Sequence, residues 1–120
     1  MSGKYLIFGA TGSIGSNLSK MMAENNKDVQ LIGRDEENLK NISSETGCKY
    51  SVVDVLDNAK IENLKNELVN EEIKGIAYCV GSIDLKPLRM VKKEDFQKCF
   101  DLNFYPIVET IKNFQESLKK

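Results

Sequence analysis

The sequence predicts an α/β fold, a parallel four-stranded sheet in the order 3-2-1-4 with helices divided between its two faces. Three observations point there. Short apolar runs alternate with segments of helical periodicity along the chain, which is the pattern of right-handed βαβ units. The runs are apolar almost throughout, as strands covered on both faces must be. And the first of them, KYLIF, breaks into glycines at positions 9, 12 and 15 just before the first helical segment.

Lys4–Phe8 reads as a buried parallel strand that stops at Gly9. Ile14, Leu18, Met21 and Met22 then recur at helical spacing and predict a helix over 13–25 with those residues as its apolar face. VQLIG at 29–33 is the second strand. Asp35 is placed to cap a helix whose apolar positions are Leu39 and Ile42 and which ends near Gly47. YSVVDV at 50–55 is the third strand. Asp57 or Asn58 starts a third helix carrying Ile61, Leu64, Leu68 and Val69, and IKGIAYCVG at 73–81 is the fourth strand. After a loop containing Pro87, one long amphipathic helix is predicted over 93–118. Its apolar stripe is Phe96, Phe100, Phe104, Ile107, Val108, Ile111, Phe114 and Leu118. There are no internal repeats and no low-complexity stretches.

With 120 residues, 41% of them hydrophobic and 29% charged, the chain has the length and composition of one domain with a packed core. Its net charge of −1 comes from 17 basic and 18 acidic residues, and no segment gathers Lys and Arg, so no nucleic-acid partner is expected. Apolar stretches such as GIAYCVG fall far short of the about 20 residues a membrane helix needs. The first strand starts at Lys4, leaving no room for a signal peptide. Cys48, Cys79 and Cys99 are odd in number and show no CxxC spacing, which reads as buried, reduced thiols in a cytoplasmic protein.

The chain contains no histidine. That excludes Ser-His-Asp and Cys-His nucleophile systems within it, and most zinc and non-haem iron sites, so no metal is expected. Any general base must be a carboxylate, Lys, Tyr or Cys.

A strand that runs into glycines and then a helix is the context of a dinucleotide turn. Gly9 permits the sharp exit from the strand, Gly12 lets backbone N–H groups approach a pyrophosphate, and Gly15 lets the helix pack closely on the sheet. The helix N-terminus then presents free donors and a partial positive charge to the phosphates. A P-loop would need Gly-Lys-Ser/Thr at its end, and Ser16 and Asn17 follow Gly15 instead. At the end of the second strand an NAD site would carry an acidic residue for the ribose 2′-hydroxyl. Gly33 occupies that place and Arg34 comes next, which suits the 2′-phosphate of NADP, so NADP is expected over NAD. Asp35 leaves an alternative open, since it could pair with Arg34 or reach the ribose itself.

These residues resemble the short-chain dehydrogenase/reductase family through nearly the whole chain, and with it a Rossmann-type three-layer fold. GATGSIG, which contains Gly9, Thr11, Gly12, Ser13, Ile14 and Gly15, is similar to that family's cofactor turn, with spacing closer to its extended branch. Gly33 and Arg34 of GRDEENL resemble the NADP-type end of the second strand. Asp54 and Val55 resemble the Asp-hydrophobic pair that contacts adenine. Cys79, Val80 and Gly81 stand where the family usually shows Asn-Ala-Gly beside the ribose and nicotinamide; Cys79 and Val80 depart from that pattern. DFQKCFDLNF resembles the family's fifth helix, whose Asn, here Asn103, belongs to the catalytic tetrad and holds a relay water on its carbonyl at a helix kink. Pro106 fits such a kink, because it has no N–H to offer the Leu102 carbonyl.

The remaining tetrad members would be a Ser on the next strand and a Tyr-x-x-x-Lys on the next helix. Four residues after Tyr5, Tyr50, Tyr78 and Tyr105 come Gly9, Asp54, Ser82 and Glu109, so no tyrosine has its lysine. The resemblance covers the N-terminal half of such an enzyme and stops before the fifth strand. Two readings stay open. One is the NADP-binding part of a reductase acting on a carbonyl or alcohol, with SIDLKPL at 82–88 as one wall of the substrate pocket. The other is a non-catalytic nucleotide-binding or oligomerisation module. In either, self-association is expected through the 93–118 helix or the open edge of the fourth strand.

Overall fold

The computed structural model describes residues 3–80, 88–90 and 92–118. Strand β1 (Lys4–Phe8) pairs in parallel with β2 (Asp28–Gly33) on one side and β4 (Ile73–Tyr78) on the other, and β2 carries β3 (Lys49–Val52) on its outer edge. The resulting order β3-β2-β1-β4 is the predicted one. It puts β1, the strand that feeds the glycines, at the centre of the sheet. The helices are α1 (Ser13–Glu24), α2 (Glu36–Thr46), α3 (Asn58–Glu67), α4 (Lys93–Asn103) and α5 (Tyr105–Leu118), with a single 3-10 turn at Leu88–Met90.

Successive strand residues point to opposite faces, and in β1 both faces are apolar. Ile7, with Val29 and Leu31, meets Leu39 and Ile42 of α2 and the partly buried Leu18 and Met22 of α1. Leu6, Phe8 and Ile32 meet Ile61 and Leu64 of α3 and Phe114 of α5 on the other face. Two separate apolar clusters thus hold one sheet between two helical layers. Lys4, at the start of β1, is buried with its ammonium 3.1 Å from Asp28, which supplies the partner a buried charge requires.

The helix caps follow the sequence at α2 and α3. Asp35 accepts from the Asn38 N–H, Asp57 accepts from Ala59 and Lys60, and α2 stops at Gly47. At α1 the buried face differs from the expected one. Gly15 and Ser19 are the buried residues, while Ile14 is 74% and Met21 61% exposed. The helix lies too close to the sheet for large side chains on that line, and the Ser19 hydroxyl settles its own polarity by donating to the Gly15 carbonyl at 2.7 Å.

The third strand is shorter than predicted. It ends at Val52, level with Gly33 at the end of β2, and the Val53 N–H closes the ladder by donating to the Gly33 carbonyl at 2.7 Å. The fourth ends at Tyr78, with Gly81 and the loop through Pro87 outside the described residues. Val69 lies past the end of α3 and is exposed.

The long predicted helix is two helices. It breaks at Phe104, between Asn103 and Tyr105, two residues ahead of Pro106. The Ile107 N–H, which an unbroken helix would direct to the Asn103 carbonyl, donates instead to Phe104 at 3.0 Å. The apolar stripe divides as well: Phe114 is buried and Leu118 packs on the same core, whereas Phe104, Val108 and Ile111 are exposed. The side chains of Phe96 and Phe100 lie outside the described residues, as does that of Cys99. Of the other two cysteines Cys48 is buried as expected, and Cys79 is only partly so.

This division gives a direct test. Phe114 is 1% exposed and Ile111, three residues earlier, is 50% exposed. Phe114→Ala is expected to cost about 3–5 kcal/mol of unfolding free energy, the usual range for emptying an aromatic core site, and Ile111→Ala about 1 kcal/mol or less. Urea denaturation of the two variants measures both.

Candidate functional site

The carboxyl ends of all four strands meet at one place, tied by backbone hydrogen bonds. The N–H groups of Gly9 and Ala10 both donate to the Ile32 carbonyl, at 2.9 and 3.2 Å, which fastens the turn after β1 to the end of β2. Cys79 N–H donates to Phe8 at 2.8 Å and Val53 N–H to Gly33 at 2.7 Å, bringing in β4 and β3. Gly9 has φ +77°, and a Cβ there would lie 2.8 Å from the Cys79 carbonyl carbon and oxygen. A Cβ on Gly15 would collide with the Gly9 carbonyl. Both glycines are therefore demanded by the fold itself, one by conformation and crowding, the other by the approach of α1.

Gly12 is different. It is the N-cap of α1 with φ −75°, it is exposed, and the nearest atom to a Cβ there would be the Gly9 oxygen at 3.4 Å. Neither backbone conformation nor packing requires glycine at this position. No side chain caps the helix, and no acidic residue sits in its first turn. The N–H groups of Ser13, Ile14 and Gly15 have no residue four places back in the helix to accept from them, so they form a positive, donor-rich end.

Beside this end lies a cleft of about 280 Å³. The turn contributes Gly9, Thr11 and Gly12 to it, the end of β2 contributes Gly33 and Arg34, the segment after β3 contributes Asp54 and Val55, and the segment after β4 contributes Cys79 and Val80. All nine are predicted site residues. Ile32 and Val53 line it too; both fall within predicted strands, and their only signal is adjacency to Gly33 and Asp54. Ser13, Ile14 and Gly15 stand on the first turn of α1 rather than in the cleft wall. Gly81 lies outside the described residues, and Asn103, half-buried at the end of α4, is not among the lining residues. A larger cavity of about 560 Å³, with Lys4, Gln30 and Lys49 in its wall, sits at the opposite, amino end of the sheet. Open α/β sheets take their ligands at the carboxyl ends, and the glycine turn is there.

Two carboxylates near the cleft are held in defined poses. Asp54 Oδ1 accepts from the Leu56 N–H at 3.0 Å. Asp35 lies just beyond the cleft wall, and its two oxygens accept from Asn38, Oδ1 from the backbone N–H at 3.3 Å and Oδ2 from the side-chain amide at 2.7 Å. Arg34 is exposed and makes no ion pair among the described residues.

Two tyrosines and one cysteine have their ionisation shifted upward. Tyr78 packs against Phe8 with ring centroids 5.9 Å apart, and burial pushes its phenol up to about 12. Tyr105 is raised by its hydrogen bond to Glu109 and by the charge of that carboxylate, the reverse of what a lysine at that spacing would do. Burial likewise raises the Cys79 thiol, which keeps it a poor nucleophile at neutral pH. Among the described residues no group of His, Cys, Asp and Glu could hold a metal ion, and no helix is long and apolar enough to cross a membrane.

Comparison with known proteins identifies the family and the fold. The family model described as short chain dehydrogenase matches residues 4–120. Over 110 residues the chain is 26% identical to carbonyl reductase family member 4 of Xenopus tropicalis, covering 88% of this chain and 46% of that relative. Serine dehydrogenase from Escherichia coli superimposes with a TM-score of 0.87 at 22% identity, over 96% of this chain and 56% of the other. An alcohol dehydrogenase from the archaeon Thermococcus sibiricus, complexed with 5-hydroxy-NADP, gives 0.84 at 22% identity, over 99% and 54%. The structural likenesses show the shared fold, and the chain spans about half the length of these relatives.

The two glycines at either end of the first α1 turn separate by stability. Gly15→Ala is expected to lower the melting temperature by several degrees, corresponding to about 2 kcal/mol or more, while Gly12→Ala costs about 1 kcal/mol or less, the scale of placing Ala at an N-cap. Differential scanning calorimetry reads both. Because the folded pKa of Tyr78 lies near 12 against an ordinary 10.0, folding disfavours its tyrosinate, and the stability this group contributes falls as pH rises from 10 towards 12. In an ultraviolet absorbance titration, Glu109→Gln should bring Tyr105 down towards the ordinary value and leave Tyr78 in place.

Proposed function

The chain belongs to the short-chain dehydrogenase family, and from that premise we propose that it is the dinucleotide-binding part of an oxidoreductase, with NADP as cofactor and a carbonyl or alcohol as substrate of the complete enzyme. The single observation that carries this reading is the convergence of nine residues from four strand ends on one cleft beside an uncapped helix N-terminus.

Gly12 is where the residues present are tested against the cofactor. Nothing in the fold uses its missing side chain, whereas a phosphate lying on the turn does, because a Cβ would stand in the approach to the helix donors. The residues fit. In this reading the N–H groups at the start of α1 hold the pyrophosphate. Asp54, with Oδ1 already engaged, offers Oδ2 to the adenine amine. Arg34, lining the cleft without an ion-pair partner among the described residues, holds the 2′-phosphate. The backbone of Cys79 and Val80 lies along the ribose. Asn103, at the α4–α5 break, is assigned the proton relay through its carbonyl. The bound cofactor supplies hydride exchange with the substrate carbon. The alcohol dehydrogenase that shares the fold is complexed with an NADP derivative, which supports the choice of phosphate over hydroxyl at the ribose.

A second reading, nucleotide binding without catalysis, is favoured by a specific observation on the same residues. Within these 120 residues no Tyr-x-x-x-Lys is present, and Tyr78 and Tyr105 are shifted above the ordinary phenol range. The two readings share the cleft and differ in whether a tyrosine and lysine are supplied alongside it.

Isothermal titration calorimetry with NADP⁺ and NAD⁺ tests the cofactor site directly. The folded chain should bind NADP⁺ more tightly, and Arg34→Glu should weaken NADP⁺ by about 10- to 100-fold, the worth of a charge-assisted contact, with NAD⁺ changed by less than about threefold. Equal losses for both nucleotides contradict the assignment of Arg34, and binding of neither contradicts the site.

A further inference from the structure

At the end of β2 two groups with opposite preferences stand side by side. A carboxylate there accepts from a ribose 2′-hydroxyl and repels a 2′-phosphate, while a guanidinium does the reverse. Arg34 and Asp35 are adjacent, so the sequence alone allows either to face the nucleotide. The structure separates them: Arg34 lines the cleft and Asp35 does not. What holds Asp35 back is Asn38. Its side-chain amide donates to Asp35 Oδ2 at 2.7 Å, and its backbone N–H donates to Oδ1 at 3.3 Å.

The backbone bond is an ordinary helix cap, and it is the longer of the two. The side-chain bond is not needed to start α2. Position 38 is the third residue of the helix, where Glu or Gln reaches back to the backbone of the capping residue in the common arrangement, and where Asn is a weak helix former. Asn38 turns its amide instead on the carboxylate. It also keeps a further negative charge out of a turn that already holds Asp35, Glu36 and Glu37; Glu36 is occupied 3.4 Å from the Tyr50 hydroxyl.

We infer that Asn38 is a positioning residue for cofactor choice: it holds the Asp35 carboxylate against α2, away from the ribose, and leaves Arg34 to select the 2′-phosphate. This rests on the reading of the cleft as a dinucleotide site with Arg34 at the 2′-phosphate. Asn38 touches no cofactor; it acts through Asp35.

The test measures the ratio of NADP⁺ to NAD⁺ dissociation constants by calorimetry for the parent chain, Asn38→Ala, Asp35→Ser and the double variant, with melting temperatures taken on each. Serine keeps an oxygen for the cap but no charge. Asn38→Ala should shift the ratio about fivefold towards NAD⁺, the scale of releasing one hydrogen-bonded carboxylate. Asp35→Ser should leave the preference for NADP⁺ in place, and adding Asn38→Ala to it should do nothing more. A lowered melting temperature with an unchanged ratio reduces Asn38 to a structural cap and overturns the inference. So does an equal shift with and without the Asp35 carboxylate. Arg34→Leu distinguishes failure of the underlying reading: an unchanged ratio there removes Arg34 from the 2′-phosphate, while the Asn38 series still reports whether Asp35 is being held back. If the folded parent chain binds neither nucleotide, the cleft reading fails and the inference with it.

Discussion

The backbone of α1 lies so near the turn after β1 that a side chain at position 15 would occupy the space of the Gly9 carbonyl. Most of the architecture around the site depends on that approach. It dictates a line of small residues, Gly15 and Ser19, on the face of α1 that meets the sheet, and it turns Ile14 and Met21 outward. It brings the helix N-terminus directly over the carboxyl ends of the strands. It also requires the turn itself to be narrow, which Gly9 provides with a positive φ against the backbone of Cys79. One close contact thus couples the packing of a helix to the position of its positive end.

Around that contact the site is made mainly of main chain. Hydrogen bonds from Gly9, Ala10, Val53 and Cys79 tie the four strand ends into one rim, and the donors facing outward from it are N–H groups at the start of α1. Such a rim holds an anion without side-chain rearrangement, because its dipoles are fixed by the fold. The side chains that could move protons are restrained in the opposite sense, with Tyr78 buried against Phe8 and Tyr105 beside the Glu109 carboxylate.

Much of this was legible in the sequence, for identifiable reasons. The central strands β1 and β2 show as apolar runs because both of their faces are buried, and α2 shows by Asp35 at its start and Gly47 at its end. The glycine turn shows because Gly9 and Gly15 have no substitute. The inward face of α1 was legible in part: Leu18 and Met22 pack on the core as the periodicity assigns them, whereas the line nearest the turn holds Gly15 and Ser19, and Ile14 and Met21 face outward. The end of β3 was overrun because Val53 and Val55 continue the apolar run past Gly33, where the partner strand β2 ends. Pro106 marked a distortion, but a kink and a full break at Phe104 have the same local signal. Ile32 and Val53 serve core and cleft together, so composition could not assign them to the site. The orientation of Asp35 depended on a partner three residues away.

The most direct measurement is chemical-shift mapping on the nitrogen-15-labelled chain during addition of NADP⁺. Binding at the turn predicts the largest amide shifts at Gly12–Gly15, with accompanying shifts at Gly33, Arg34, Asp54 and Val55, and none at the amino end of the sheet. Shifts centred on Lys4, Gln30 and Lys49, with the α1 turn unmoved, would contradict it.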